Sequence, residues 1–294
     1  MAVKESASIN KEALAPKIVL DRLRQNLSDF PWWVLGMVAI FIVTIALVIT
    51  RPSFQQAFSF IGAGIKITIQ TTVFAFGIAL ILGLIAGLGR ISSNVFFKNL
   101  STLYVELIRG VPMLVLIFFI AYVGVPAGVS LVNGLGKWLT GVGLTFLGAP
   151  LAGVENNNVA MNVRAIIALS VTYGAYLAEI FRAGIQSIGR GQMEAARAQG
   201  MSYWQAMRYI ILPQAIKNVL PALGNDFISM LKDTSLVSVL AVRDITQIAK
   251  LYVGTSFRYN EAYIILAVLY LAMTVMLSTL VKFLEKRYQK DERG

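Results

Sequence analysis

The stretch Glu194-Ala-Ala-Arg-Ala-Gln-Gly200-Met-Ser-Tyr-Trp-Gln-Ala-Met-Arg-Tyr-Ile210-Ile-Leu-Pro213 is a polar loop between two long apolar runs. Hydrophobic burial does not account for its spacing, so local backbone chemistry is the place to start. Gly189 and Gly191 interrupt the preceding helix, and Gln192 to Gln199 is built from good helix formers. Gly200 supplies a left-handed or close-approach position, and Ser202 caps a second short helix over Tyr203 to Ile211. Pro213 is expected to end that helix, because it lacks an amide hydrogen. The stretch therefore reads as a helix-turn-helix. Seated in a partner's groove, a rigid element of this kind moves with the partner. An ordinary amphipathic surface helix is the competing reading.

The rest of the composition decides the solvent. Of 294 residues, 57% are hydrophobic and 14% charged, too few polar groups to cover a soluble globule of that size. Lipid is the medium that suits such a chain. The formal charge of +11 is dispersed between apolar blocks and accompanied by no motif that reads bases or phosphates, so no nucleic-acid partner is expected. With no cysteine and no histidine there is no disulfide, no thiolate and no imidazole, which argues against hydrolytic or metal-dependent catalysis in this chain. No phosphate loop occurs either. Gly136-Lys137 is the nearest fragment, and Trp138 stands where a hydroxyl would hold magnesium.

An apolar helix needs about 20 residues to cross the hydrocarbon. Six stretches qualify: Trp32 to Thr50, Ile67 to Gly89 and Ala262 to Val281 without charge, and Leu103 to Gly124, Ala165 to Ile188 and Asn218 to Leu240 with polar interruptions. With the N-terminus inside, sixteen Lys and Arg residues fall in cytoplasmic segments and seven in external ones. That bias places both termini and the Glu194 to Pro213 loop in the cytoplasm. Residues 1–31 read either as an interfacial amphipathic helix, with Val19, Leu20, Leu23 and Leu27 at helical steps, or as a poorly ordered tail. The external connection from Val125 to Val163 reads either as a flexible elaboration or as a short apolar re-entrant element over Val129 to Leu147.

Glu194, Ala195, Ala196, Gly200, Ile210, Leu212 and Pro213 fill every position of the "EAA" pattern, and the stretch resembles the ATPase-docking loop of ABC importer permeases. Glu106 to Pro112, Tyr176 to Ile185 and Leu231 to Leu236 resemble segments of the polar amino acid subfamily. The resemblance covers residues 60–285. It implies an all-α, polytopic membrane protein of the type I importer-permease fold, with six transmembrane helices. One of these is an extra N-terminal helix at 32–50, and the fold carries a cytoplasmic coupling helix within 189–213 and a tail at 286–294. It also implies a bacterial inner-membrane location, a second permease subunit, ABC ATPase subunits and an extracytoplasmic amino acid binding protein. The chain is then no enzyme and holds no cofactor of its own, ATP and magnesium belonging to the partner ATPase.

Ionisable residues inside spans are costly enough to be functional suspects. Glu179 and Arg182 share a helix face and either meet substrate or pair with each other. Glu106 and Arg109 have the same spacing near the end of their span, where snorkelling or a structural pair fits. On the fifth span Asn225, Asp226, Lys232, Asp233, Thr234 and Ser235 make a polar helix, loosened by Pro221 and Gly224, that lines a translocation path with Thr234 and Ser235 nearest the substrate. Interhelical hydrogen bonding across a permease dimer is the alternative for that helix. Gly83 and Gly87 read as a close-packing pair. A rival function is an ion-coupled secondary carrier using Asp226, Asp233 and Glu179 as cation sites, although no internal repeat is visible.

Overall fold

A computed structural model describes residues 32–290, in two units divided at Gln55/Gln56. The expected helix within residues 1–31 and the last four residues of the tail lie outside the described residues. Among the described residues every regular element is helical.

The first unit holds α1 (Trp32–Thr50) and the start of α2 (Pro52–Gly62). Helix α1 carries no charge and exposes almost every side chain. A helix apolar all round behaves this way when lipid is its solvent. Its one buried polar side chain, Thr44, donates its hydroxyl to the Ile40 carbonyl at 2.8 Å. Pro52 opens α2, where its missing amide hydrogen has no intrahelical partner to lose.

The second unit is built on α3 (Ile65–Ile91) against α8 (Met161–Gln186). Both faces of the contact are made of small residues: Ala75, Ala79, Gly83, Ala86 and Gly87 on α3, and Ala165, Ala168, Gly174, Ala175 and Ala178 on α8, all buried. A Cβ added at Gly83 would lie 2.6 Å from Leu177 Cβ, and one at Gly87 2.8 Å from the Ala178 carbonyl oxygen. The backbones touch, as small residues allow helices to do in an apolar medium. Ser170 reinforces the contact, its hydroxyl lying 3.1 Å from the Ala75 carbonyl.

Helix α4 (Val95–Arg109) begins at Asn94, whose side chain accepts the Phe96 amide at 2.9 Å. It lays Val105 among Ala86, Ala175 and Ala178 and leaves Phe96, Leu100, Leu103 and Leu107 exposed along one face. The third span was expected as one piece from Leu103 to Gly124. Instead the chain breaks at 110–112, because Pro112 lacks an amide hydrogen and its ring disfavours helix at Val111. Beyond the break, α5 (Met113–Phe119), a π-helical turn (Ile120–Gly124) and α6 (Val125–Gly141) form a 29-residue rod. The connection from Val125 to Val163 is therefore largely helical, with α7 (Thr145–Ala152) folded back on α6. Its end is pinned by Arg164, which is 5% exposed. Its guanidinium donates to the carbonyls of Val159 (3.0 Å), Ala121 (2.9 Å) and Asn156 (2.7 Å) and to Asn156 Oδ1 (2.8 Å). Hydrogen bonds to four acceptors make that buried charge tolerable.

The chain continues through α9 (Arg190–Ala198) and α10 (Tyr203–Ala206) into α11 (Leu212–Asp233), a 3₁₀ turn (Thr234–Leu240), α12 (Ile245–Ser256) and α13 (Tyr259–Lys290). Five stretches among the described residues are long and apolar enough to cross a membrane: Trp32–Thr50, Pro52–Ile91, Met113–Gly141, Met161–Gln186 and Tyr259–Arg287. Helix α11, the expected fifth span, has the length but carries Lys217, Asp226, Lys232 and Asp233 and falls outside that set.

Gly83→Ile is expected to cost about 1–3 kcal/mol through overpacking and to lower the Tm in detergent. On the same helix, Gly77→Ile, where a new Cβ meets nothing within 4 Å, is expected to leave the Tm unchanged. Equal melting of the two variants would contradict the close packing of α3 on α8.

Candidate functional site

Helix α8 stops at Gln186, and the Ser187 hydroxyl donates to the Gly184 carbonyl at 2.7 Å while accepting Asn218 Nδ2 at 2.9 Å, which joins the end of α8 to α11. Gly189 precedes α9, whereas Gly191 lies inside it, so one of the two expected breakers acts as such. Gly200 has φ of +86° and closes α9 with the Met201 amide on the Ala196 carbonyl (3.1 Å) and its own amide on Arg197 (3.0 Å). That doubled bond and the left-handed glycine make a Schellman stop. Ser202 then caps α10 reciprocally: its hydroxyl accepts the Gln205 amide at 3.2 Å, and its amide donates to Gln205 Oε1 at 2.8 Å.

Pro213 does not end the second helix. Met207–Ile211 widen into a π turn, the Leu212 amide reaching back to the Met207 carbonyl, and the helix continues into α11 with Pro213 in its first turn. A wider turn takes up the proline's missing donor without breaking the rod. Gln214 Nε2 donates to the Ile210 carbonyl at 2.8 Å. Glu194, Ala195, Gly200 and Pro213 are exposed, Ile210 and Leu212 half-buried, and Ala196 buried. The loop also exposes Tyr203, Trp204 and Tyr209, three aromatics that the sequence reading passed over, although aromatics in a polar loop were themselves a signal.

Glu179 and Arg182 pair, as one of the two sequence readings holds. They do not pair alone. Arg90 Nη1 lies 2.9 Å from Glu179 Oε2 and its Nη2 3.2 Å from Glu106 Oε1, so two carboxylates and two guanidiniums tie α3, α4 and α8 together beside the loop. Arg182 also donates to Gln186 Oε1 at 2.5 Å. Arg109 does not join Glu106; it lies 6.0 Å from the centre of the Tyr176 ring. Arg90 was visible in the sequence only as one more cytoplasmic cation.

The polar residues of α11 separate onto different sides. Asn225 and Lys232, with Pro221 and Ser229, line a groove of about 490 Å³ whose other wall is Ser278, Lys282 and Glu285 of α13. Beside it, Phe76, Leu80, Leu223 and Phe227 line an apolar cavity of about 240 Å³. Asp233 instead accepts the Tyr173 hydroxyl of α8 at 2.6 Å, and Asp226 lies within electrostatic reach of both. Thr234 is buried and donates to the Leu231 carbonyl at 2.7 Å, and Ser235 is half-buried in the 3₁₀ turn. The eight expected path residues thus occupy an ion-pair cluster, a groove and a partly buried set rather than one pocket.

Comparison with known proteins agrees with this architecture. Residues 79–290 match the family model described as binding-protein-dependent transport system inner membrane component. A probable glutamine ABC transporter permease protein, GlnM of Bacillus subtilis, is 37% identical over 234 residues, covering 80% of this chain and 95% of that protein. The glutamine transport system permease protein GlnP of Escherichia coli strain K12 is 31% identical over 224 residues, covering 76% and 90%. Among solved structures, a chain of an amino acid ABC transporter crystallised with histidines superposes with a TM-score of 0.62 at 37% identity, covering 83% of this chain and 97% of that one. A chain of the inward-facing MetNI methionine transporter, at 17% identity and a TM-score of 0.53, shares the fold. The type I importer-permease architecture is thus the fold of this molecule, and the chain belongs to the family of binding-protein-dependent transport system inner membrane components.

Proposed function

We propose that this chain is the permease subunit of an ATP-driven, binding-protein-dependent amino acid importer, and that Glu194 to Pro213 is the lever on which a separate ATPase acts. Relatives named for glutamine and other amino acids support the substrate class. The observation that carries the coupling role is the loop itself. A Schellman stop at Gly200 and a reciprocal cap at Ser202 hold α9 and α10 in one geometry, while Glu194 and Gly200 stay exposed for a partner. The π turn makes the second half of that loop continuous with α11. A push on the loop is thereby delivered to the polar helix.

In this reading both termini and the loop face the cytoplasm, six helices span the membrane with α11 among them, and ATP and magnesium sit on the partner ATPase. A second permease subunit completes the path, and an extracytoplasmic binding protein delivers the amino acid. ATP binding draws the ATPase subunits and the loops together and opens the path outward; hydrolysis reverses it. ATP must bind the closed form more tightly for this to work. Asn225 and Lys232 face the path from the groove. Asp226 and Asp233, with Thr234 and Ser235 of the following turn, shape the end of α11 away from the groove, and Glu179, paired with both Arg182 and Arg90, holds α8 beside the lever.

Glu194→Lys and Gly200→Asp are expected to reduce ATPase co-purification and to cut amino acid uptake by an order of magnitude or more, with membrane insertion unchanged; wild-type co-purification and uptake in both would remove the docking assignment. Lys232→Ala is expected to raise the KM for uptake with the ATPase still bound. Arg182→Ala is expected to lower stability by on the order of 1 kcal/mol, because Glu179 keeps Arg90 as a partner. If Arg182→Ala instead changed the uptake KM at unaltered Tm, its place would be on the substrate path.

A further inference from the structure

We propose that the hairpin formed by the end of α6 and by α7 is held by lipid and lies in the membrane interface, at the end of the bundle opposite the Glu194 to Pro213 loop. Helix α8 connects the two regions, with Met161 at the hairpin end and Gln186 at the loop end, so about 39 Å of helix separates them.

The hairpin is packed within itself and apolar outside. A Cβ at Gly136 would collide with the Ala152 amide nitrogen, and one at Gly148 would lie 2.6 Å from the Gly136 carbonyl, so α6 and α7 meet backbone to backbone. Thr140 returns its hydroxyl to the Gly136 carbonyl at 2.8 Å, and Asn133 Nδ2 donates to the Val154 carbonyl at 3.2 Å. The outer surface carries Phe146, 91% exposed, with Leu131 at 75% and Trp138 at 63%. Between residues 125 and 152 the sole charged side chain is Lys137. Water does not tolerate an apolar surface of this extent on a soluble domain.

The surface continues the exposed apolar face of a helix long and apolar enough to cross a membrane. Val115, Phe118, Phe119 and Tyr122 are exposed on α5 and the π turn of the same rod, and the exposed side chains run on through Leu131, Leu135 and Trp138 of α6. The rod from Met113 to Gly141 has 29 residues, more than the about 20 that a crossing needs, and α7 has only 8, which leaves the last turns of α6 and the whole of α7 at the interface. Trp138 beside Lys137 is the pairing that suits it: an indole at headgroup level and an ammonium that reaches the phosphates. A protein that docks and releases in each cycle calls for a more polar surface than this one.

The chain lacks cysteine, which makes the test direct. Phe146→Cys, labelled with a polarity-sensitive fluorophore, is placed in nanodiscs of phosphatidylcholine and phosphatidylglycerol with its co-purifying subunits; Ser93→Cys, in the exposed turn between α3 and α4, is the aqueous control. Doxyl-labelled lipid is expected to quench the label at 146 and spare the label at 93, with iodide doing the reverse. Quenching of the label at 146 by iodide alone would overturn the proposal. Shielding from iodide that appears only when a substrate-binding protein is added would also overturn it and mark the hairpin as a protein-docking surface. Should Phe146→Cys fail to assemble, native tryptophan emission decides. Trp138→Phe is expected to abolish part of the quenching by brominated lipid, and unchanged quenching would overturn the assignment.

Discussion

The contact between α3 and α8 is the constraint on which the second unit depends. Lipid tails are as apolar as leucine, so helices inside a bilayer gain little from hydrophobicity and associate by fitting closely. Gly83 and Gly87 remove the side chains that would hold the backbones apart, and Ala75, Ala79, Ala165 and Ala168 keep the seam narrow on either side. Because α3 and α8 are held at that distance, Arg90 reaches Glu179, Val105 of α4 finds a buried seat, and the end of α8 delivers the loop to a defined place.

Most buried polar side chains among the described residues are satisfied inside the protein in the same way, Asn133 Oδ1 being left without a partner. The Arg164 guanidinium is surrounded by carbonyls, the Thr44 and Thr72 hydroxyls return to the preceding turn, and Asp233 takes the Tyr173 hydroxyl. Lys232, Lys282 and Glu285, by contrast, line open space at the groove between α11 and α13. That contrast separates residues committed to contacts within the bundle from residues that border open space. It also explains why Glu179 and Arg182 group with the scaffold, whereas Asn225 and Lys232 group with the groove.

Much of this was legible in the chain. The uncharged runs at Trp32 to Thr50, Ile67 to Gly89 and Ala262 to Val281 became helices at those places, because a run of that length without charge has no other stable form in lipid. The Gly200 turn and the Ser202 cap were legible for a local reason: left-handed backbone and N-capping depend on one or two neighbouring residues. Where the reading went astray, a local rule met a longer-range alternative. Pro213 was expected to stop a helix, but the π turn ahead of it absorbs the missing donor. The third span was drawn through Pro112 on hydropathy, and the backbone breaks there. The stretch from Val125 to Val163 left two readings open, a flexible elaboration or a short apolar re-entrant element over Val129 to Leu147, because its glycines and asparagines suit a loop and its apolar residues do not; the backbone is helical over Val125–Gly141 and Thr145–Ala152, with Gly136 packed against Ala152.

By itself the sequence determined the medium, the helical class, the spacing of the loop and its capping, since each of these follows from composition or from contacts a few residues apart. Only the tertiary structure decided which charges face each other. Arg90 is 89 residues from Glu179, and Tyr173 is 60 from Asp233. No periodicity encodes such pairs; they exist because the close approach of α3 and α8 and the path of α11 bring them within hydrogen-bond distance.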